Sequence, residues 1–104
     1  MLLAFEWDAV KARANLKNHQ VGFEEAKTLF NDPLLVTFAD EYHSGHEERC
    51  ISIGRSASGR LLLVVHTDHW GMEEELVIRM ISCREATASE QKAYEEGEVR
   101  TNEH

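Results

Sequence analysis

The chain has 104 residues, 42% of them hydrophobic, and a formal net charge of −8. That length makes one domain whose core needs neither disulfide nor metal, and no apolar run approaches the roughly 20 residues of a membrane span. The acidic balance argues against a generic nucleic-acid binder. Nine of the 19 acids fall after residue 70, however, so a local basic site remains open, because a substrate meets local potential.

The opening "MLLAFEWD" lacks the basic and apolar regions of a signal peptide, and a cytoplasmic chain is expected. "LLAFEW" reads as a short first strand. Asp8 is placed to cap a helix from Ala9 to about Asn18, which "QVG" breaks. A second helix is expected from Phe23 to Phe30, with Gly22 as its cap, Glu24 and Glu25 in its first turn, and Phe23, Ala26 and Phe30 on one face. "NDP" at 31–33 stops it.

Segments 34–40, 49–55, 60–67 and 76–84 are rich in β-branched and apolar residues, with Gly45, Gly59 and Gly71 in the gaps. Strands in sequence with short loops predict an antiparallel meander, in which unalternating "RLLLVVHT" is the central strand. Thr87 and Glu90 have capping-box spacing, so a last helix is expected from Ala88 to about Glu96. The fold class is α+β: two N-terminal helices packed on an antiparallel meander sheet, then a C-terminal helix. The domain spans residues 1–96, and 97–104 form a polar, frayed tail.

Lys11, Asn15 and His19 are spaced i, i+4, i+8, which gives either a solvated polar face or a basic strip carrying one titratable imidazole. Arg79 and Arg84 differ in strand parity, so they are expected on opposite faces, Arg79 together with Ile81 and Cys83. A guanidinium fork suits a phosphate, and equally a glutamate. Arg49 and Arg60 each open a strand and read as exposed charges. Cys50 and Cys83 are expected to be reduced, buried thiols. His43 with His46 and His66 with His69 invite a metal reading, but residues three apart on a strand face opposite ways; no metal and no cofactor is expected. There is no Gly-rich phosphate loop, nucleophile elbow or HExxH.

Several motifs recur in one order: "FEWD" followed by Lys11 and Asn15, then His19, "FEEA", "F-x-DP" at 30–33, and "HSGHEER" at 43–49. "IG" at 53–54, "GRLLLVV" at 59–65, "IRMISCREAT" at 78–87, and Glu90 with Tyr94 complete the set. Each is weak alone. Together, over residues 5–96, they resemble the BrnT family of type II toxin–antitoxin ribonucleases. The resemblance implies a RelE-like fold in a bacterial, cytoplasmic toxin. It implies metal-independent RNA cleavage that inhibits translation, with no cofactor. It also implies neutralisation by a BrnA-like antitoxin in a hetero-oligomer, contact with promoter DNA only through that antitoxin, and no membrane.

Within that resemblance, His19 is the candidate acid or base, and Lys11, Arg79 and Arg84 the candidate phosphate clamp. Glu48 is a second proton-transfer candidate or a partner for Arg49. Trp7 stacks a base or belongs to the core, and Asn15, Arg49, Arg60 and His69 are candidate RNA contacts. The chain departs from the family pattern at Asp68 and His69, where a Glu-Arg pair is usual, at Gly22, and in the hairpin extension "WGMEEE", whose acids repel RNA. Two alternatives follow: a catalytically degenerate member that only binds its antitoxin, and a non-enzymatic interaction or regulatory domain.

Overall fold

The structure is a computed structural model that describes residues 2–40 and 48–102, with side chains as far as Gly97. His43 and His46 lie outside the described residues. Among the described residues five strands form one sheet: β1 (Leu3–Glu6), β2 (Val36–Ala39), β3 (Arg49–Arg55), β4 (Leu61–Trp70) and β5 (Leu76–Glu85), in the order β1-β5-β4-β3-β2. The helices are α1 (Ala9–His19), α2 (Phe23–Ala26) and α3 (Ala88–Asn102). Among the described residues no helix is long and apolar enough to cross a membrane.

Three local expectations need correction. The sheet is not wholly antiparallel: β2 to β5 pair antiparallel in turn, but β1 runs parallel to β5, with Phe5 opposite Ile78 and Glu6 opposite Arg79. The second helix is a single α-turn that tightens into a 3-10 helix over Lys27–Asn31. Its β-branched Thr28 donates its hydroxyl back to the Glu25 carbonyl at 2.6 Å and accepts the Ala57 N–H at 2.8 Å, so it answers to the sheet as well as to its own helix. The last helix does not stop at Gly97. A Cβ there would stand 2.4 Å from Cγ1 of Val36, so the glycine is where α3 closes on β2 and not a helix terminator.

β4 is the central strand. Leu62 and Val64 face the first core, with Val21, Phe23, Ala26 and Leu29 packed above Ile78, Met80 and Cys83. Leu63 and Val65 face the second core, where Ile53 and Tyr94 meet Val36 and Ile51 beneath α3. This two-sided cover explains why "LLLVV" does not alternate.

β5 changes parity part-way. His66 pairs with Met80, but Val65 pairs with Ser82, which leaves Ile81 as an extra residue without a partner in β4. Ile78 and Met80 face the first core before this bulge, and Cys83 faces it afterwards. Arg79 and Arg84 therefore lie on the same face of the sheet, contrary to a simple parity count, and Arg79 does not share a face with Cys83.

α1 docks through a polar clamp. Asn15 is buried, while Val10 and Leu16 on the same helix are exposed. The Asn15 amide nitrogen donates to the carbonyls of Val21 at 3.0 Å and Cys83 at 2.8 Å, and its oxygen accepts the Cys83 N–H at 3.0 Å. β1 ends opposite Arg79, so Asn15 stands where a strand partner for Cys83 would stand, and offers the same donor and acceptor. On the other side of α2, Glu25 accepts from Arg60, Ser56 and Ser58, tying the helix to the β3–β4 turn.

Asn15→Leu leaves the N–H and C=O of Cys83 without partners in a buried position. It is expected to destabilise the protein by about 3 kcal/mol, read by urea unfolding; a change below about 1 kcal/mol is the contrary outcome. The Glu25 carboxyl is pulled from 4.5 to about 2, chiefly by its hydrogen bonds from Arg60. Its stabilisation is complete above the unfolded value and is lost as pH falls through the folded one. The thermal midpoint is expected to drop between pH 4.5 and 2, with a shallower drop in Glu25→Gln.

Candidate functional site

On the face of the sheet away from α1, Arg49, Thr67, Arg79 and Glu6 are successive cross-strand neighbours on β3, β4, β5 and β1. Arg79 Nη1 lies 3.8 Å from a Glu6 oxygen, with 45% of its side chain exposed. His69 Nε2 lies 3.9 Å from the same oxygen. These are long, solvent-screened contacts that hold the groups loosely. Just beyond Glu6, Asp8 caps α1 by accepting the N–H groups of Val10 and Lys11. Its carboxyl is held below the usual range first by those N–H bonds and then by the charges of Lys11 and Arg79. Two cations, an imidazole and two carboxylates thus gather where β1 hands over to α1.

Arg84 is placed differently. It shares the face with Arg79, but their β4 partners, Leu63 and Thr67, are four residues apart, about 13 Å along the strand. The two are set apart along the strand. Arg84 is also committed: Nη1 and Nη2 reach the two oxygens of Glu90 at 2.7 and 2.8 Å, and the Glu90 carboxyl is drawn to about 2, chiefly by Arg84. Glu90 additionally accepts the Thr87 N–H at 2.8 Å, and Thr87 Oγ1 accepts the Glu90 N–H at 3.3 Å, which completes the capping box of α3. A groove of about 340 Å³ runs between these elements, lined by Arg49, Ile51, Ser82, Arg84, Asp40 and Glu90 among others.

The remaining candidates separate. His19 is exposed at the far end of α1 from Lys11, eight residues or about 12 Å away. Asn15 is saturated by its clamp on Cys83 and is not part of a polar strip. Trp7 is half-buried against the first core, its ring perpendicular to that of Phe23 at 5.7 Å, so at least part of it serves packing. Arg60 is engaged by Glu25 and by Glu85 at 3.3 Å, and is no bare strand-end charge. Glu48 is exposed, and its charge acts, after burial and Asp68, to raise the Cys50 thiol. Cys50 is half-buried and Cys83 buried, both free thiols.

A second polar chain crosses the opposite face. Ser52 Oγ lies 2.7 Å from His66 Nε2, and His66 Nδ1 lies 2.6 Å from Asp68 Oδ1. The order imitates a hydrolase triad, but Ser52 is fully buried, so no substrate reaches its oxygen.

A family model described as the ribonuclease toxin BrnT of type II toxin–antitoxin systems matches residues 7–90. The chain belongs to the BrnT family. The 1.1 Å crystal structure of the Brucella abortus ribonuclease toxin BrnT is similar over 84% of this chain and 99% of that one, with TM-score 0.57 and 19% identity. At that identity the likeness establishes the fold. No match was found among functionally curated proteins. The fold of this chain, similar to that of the Brucella toxin, is α+β, with a five-stranded sheet among the described residues and a core on each of its faces.

Sequence reasoning missed Glu6 as the partner of Arg79 and His69, and Asp8 as a second acid at that corner. Both depend on the parallel β1–β5 pairing, which links residues more than 70 apart and leaves no local signal. The Arg84–Glu90 pair had a usable cue, since the capping-box glutamate follows the arginine by six residues.

The two arginines are expected to behave oppositely in stability. Arg79→Ala should change it by less than about 0.5 kcal/mol, as for an exposed loose pair. Arg84→Ala removes a bidentate partner from Glu90 and should cost about 2 kcal/mol. Chemical denaturation of both variants checks the contrast, and equal effects contradict it.

Proposed function

We propose that this chain is an endoribonuclease toxin of the BrnT type. It cleaves RNA without a metal ion, inhibits translation, and is neutralised by a BrnA-like antitoxin in a hetero-oligomer that reaches promoter DNA only through the antitoxin. The observation that carries this reading is the loosely held cluster of Arg79, Lys11 and His69 with Glu6 and Asp8, in a member of a ribonuclease-toxin family.

Metal-free cleavage removes the proton of a 2′-hydroxyl. That oxygen attacks phosphorus, and the 5′-oxygen leaves with a proton, giving a cyclic phosphate and a 5′-hydroxyl. Arg79 exchanges its 3.8 Å contact with Glu6 for the phosphate, where a planar fork binds two oxygens. Lys11 adds positive charge from α1. His69 takes the proton-transfer role for which His19 was the candidate, because it alone of the two stands beside Arg79. Glu6, released from Arg79, serves as its complement. Arg49 and Arg84 extend the contact along the RNA and bind other phosphates.

One observation favours a second reading, a degenerate member that binds antitoxin without cutting. The β4–β5 hairpin ends in exposed Glu73 and Glu74 beside Trp70, 67% exposed, and fully exposed Met72. Acids there oppose RNA, while an aromatic and a methionine suit a protein partner.

Purified protein and a structured RNA, with a chelator present, separate the readings. Arg79→Ala is expected to lower the cleavage rate by about 10²-fold or more, and His69→Ala by about 10²-fold or more, while His19→Ala leaves it unchanged. Cleavage that survives Arg79→Ala overturns the assignment. Wild-type protein that binds its antitoxin and cuts no RNA moves the conclusion to the degenerate reading.

A further inference from the structure

We propose that Cys50, His66 and Asp68 form a binding site for a thiophilic divalent cation, Zn²⁺ being the best match. The site lies on the opposite face of the sheet from the Arg79 cluster and is independent of RNA cleavage. Cys50 and His66 are direct cross-strand partners on β3 and β4, and Asp68 follows His66 by two residues on the same face. Their sulfur, nitrogen and oxygen ligand atoms all lie within 4.8 Å of one another.

The donor set is selective. One thiolate, one imidazole and one carboxylate are the three ligand types zinc takes, and sulfur with nitrogen disfavours the hard cations Ca²⁺ and Mg²⁺. Two anionic ligands neutralise the dication, which suits a half-buried place. Three protein ligands leave the fourth tetrahedral position to water.

The imidazole is already oriented. His66 is 1% exposed, with Phe30 edge-on to its ring at 5.3 Å. Its Nε2 meets Ser52 Oγ at 2.7 Å, and Ser52 in turn meets Thr37 Oγ1 at 2.8 Å. Such an outer hydrogen bond orients the ring of a ligating histidine and aims its other nitrogen. Here that nitrogen, Nδ1, points to Asp68. An ion at Nδ1 displaces the proton shared with Asp68 and leaves Nε2–H to donate to Ser52 Oγ. Bond lengths of about 2.0–2.3 Å put tetrahedral ligand atoms about 3.3–3.6 Å apart, so the 2.6 Å His66–Asp68 contact opens by less than about 1 Å to admit the ion. The Asp68 side chain is 30% exposed, which gives it room to turn and gives the cation a path from solvent.

Arg49 precedes Cys50, and Thr67 lies between His66 and Asp68, both aimed at the other face. A cation stapling β3 to β4 therefore braces the backbone that presents Arg49 and Thr67 on the other face.

Titration of the reduced full-length protein with Co²⁺, followed by Zn²⁺ displacement, tests the site. One Co²⁺ per chain is expected, with a near-ultraviolet thiolate-to-cobalt band that Zn²⁺ abolishes. Cys50→Ser should remove the band, and Asp68→Asn should weaken binding by about tenfold or more, each variant being checked for native circular dichroism. No band in the wild type overturns the proposal. So does a band or an affinity that persists in Cys50→Ser and Asp68→Asn, since the ion would then sit on other residues. RNA cleavage in chelator is a separate readout, and its presence or absence leaves this result untouched.

Discussion

A single unpaired residue, Ile81, sets the orientation of everything C-terminal to it in β5. Without that bulge, a regular strand would turn Cys83 away from α1 and drive Arg84 into the first core, beneath Phe23 and Leu29. With it, Cys83 fills the core, its backbone meets Asn15, and Arg84 meets α3. The extra residue costs one local pairing and is repaid by three satisfied polar groups and a bidentate ion pair. Bulges accentuate strand twist, and this one falls where the outer neighbour of β5 changes from a strand to a helix.

That change of neighbour organises the polar corner. β1 pairs as far as Glu6, then the chain turns through Trp7 and Asp8 into α1. Arg79 is the last residue of β5 opposite β1, so it faces a strand terminus, a helix N-terminus and open solvent together. Backbone N–H groups at the start of α1 are satisfied by Asp8, which is exposed, and Glu6 beside Arg79 is half-buried. Rigid backbone with loosely tethered charge is the arrangement that lets an incoming anion replace an internal one.

Much of the frame is legible locally. Asp8, the Thr87–Glu90 box and the span of β3 are short-range signals, and the chemistry of caps fixes them within a residue or so. The ordered motifs carried the family. What escaped depends on distance in sequence: parallel β1–β5 pairing, the bulge, and Asn15 acting as a surrogate strand. Gly97 misled for another reason, because a glycine that permits close packing looks the same in a sequence as one that ends a helix. His66 with Asp68 escaped because histidines three apart are the visible pattern in the sequence, whereas the cluster forms across strands with Cys50.

Glu90 holds two posts with one carboxylate. It anchors Arg84 and closes the first turn of α3 through Thr87. The helix terminus and the arginine are therefore linked thermodynamically. Any anion that draws Arg84 away changes the fraying of α3, and by reciprocity any partner that firms or loosens α3 alters how tightly Arg84 takes an anion. The C-terminal helix is in that sense an internal competitor for the groove beside it, present at a fixed effective concentration and adjustable from a distance.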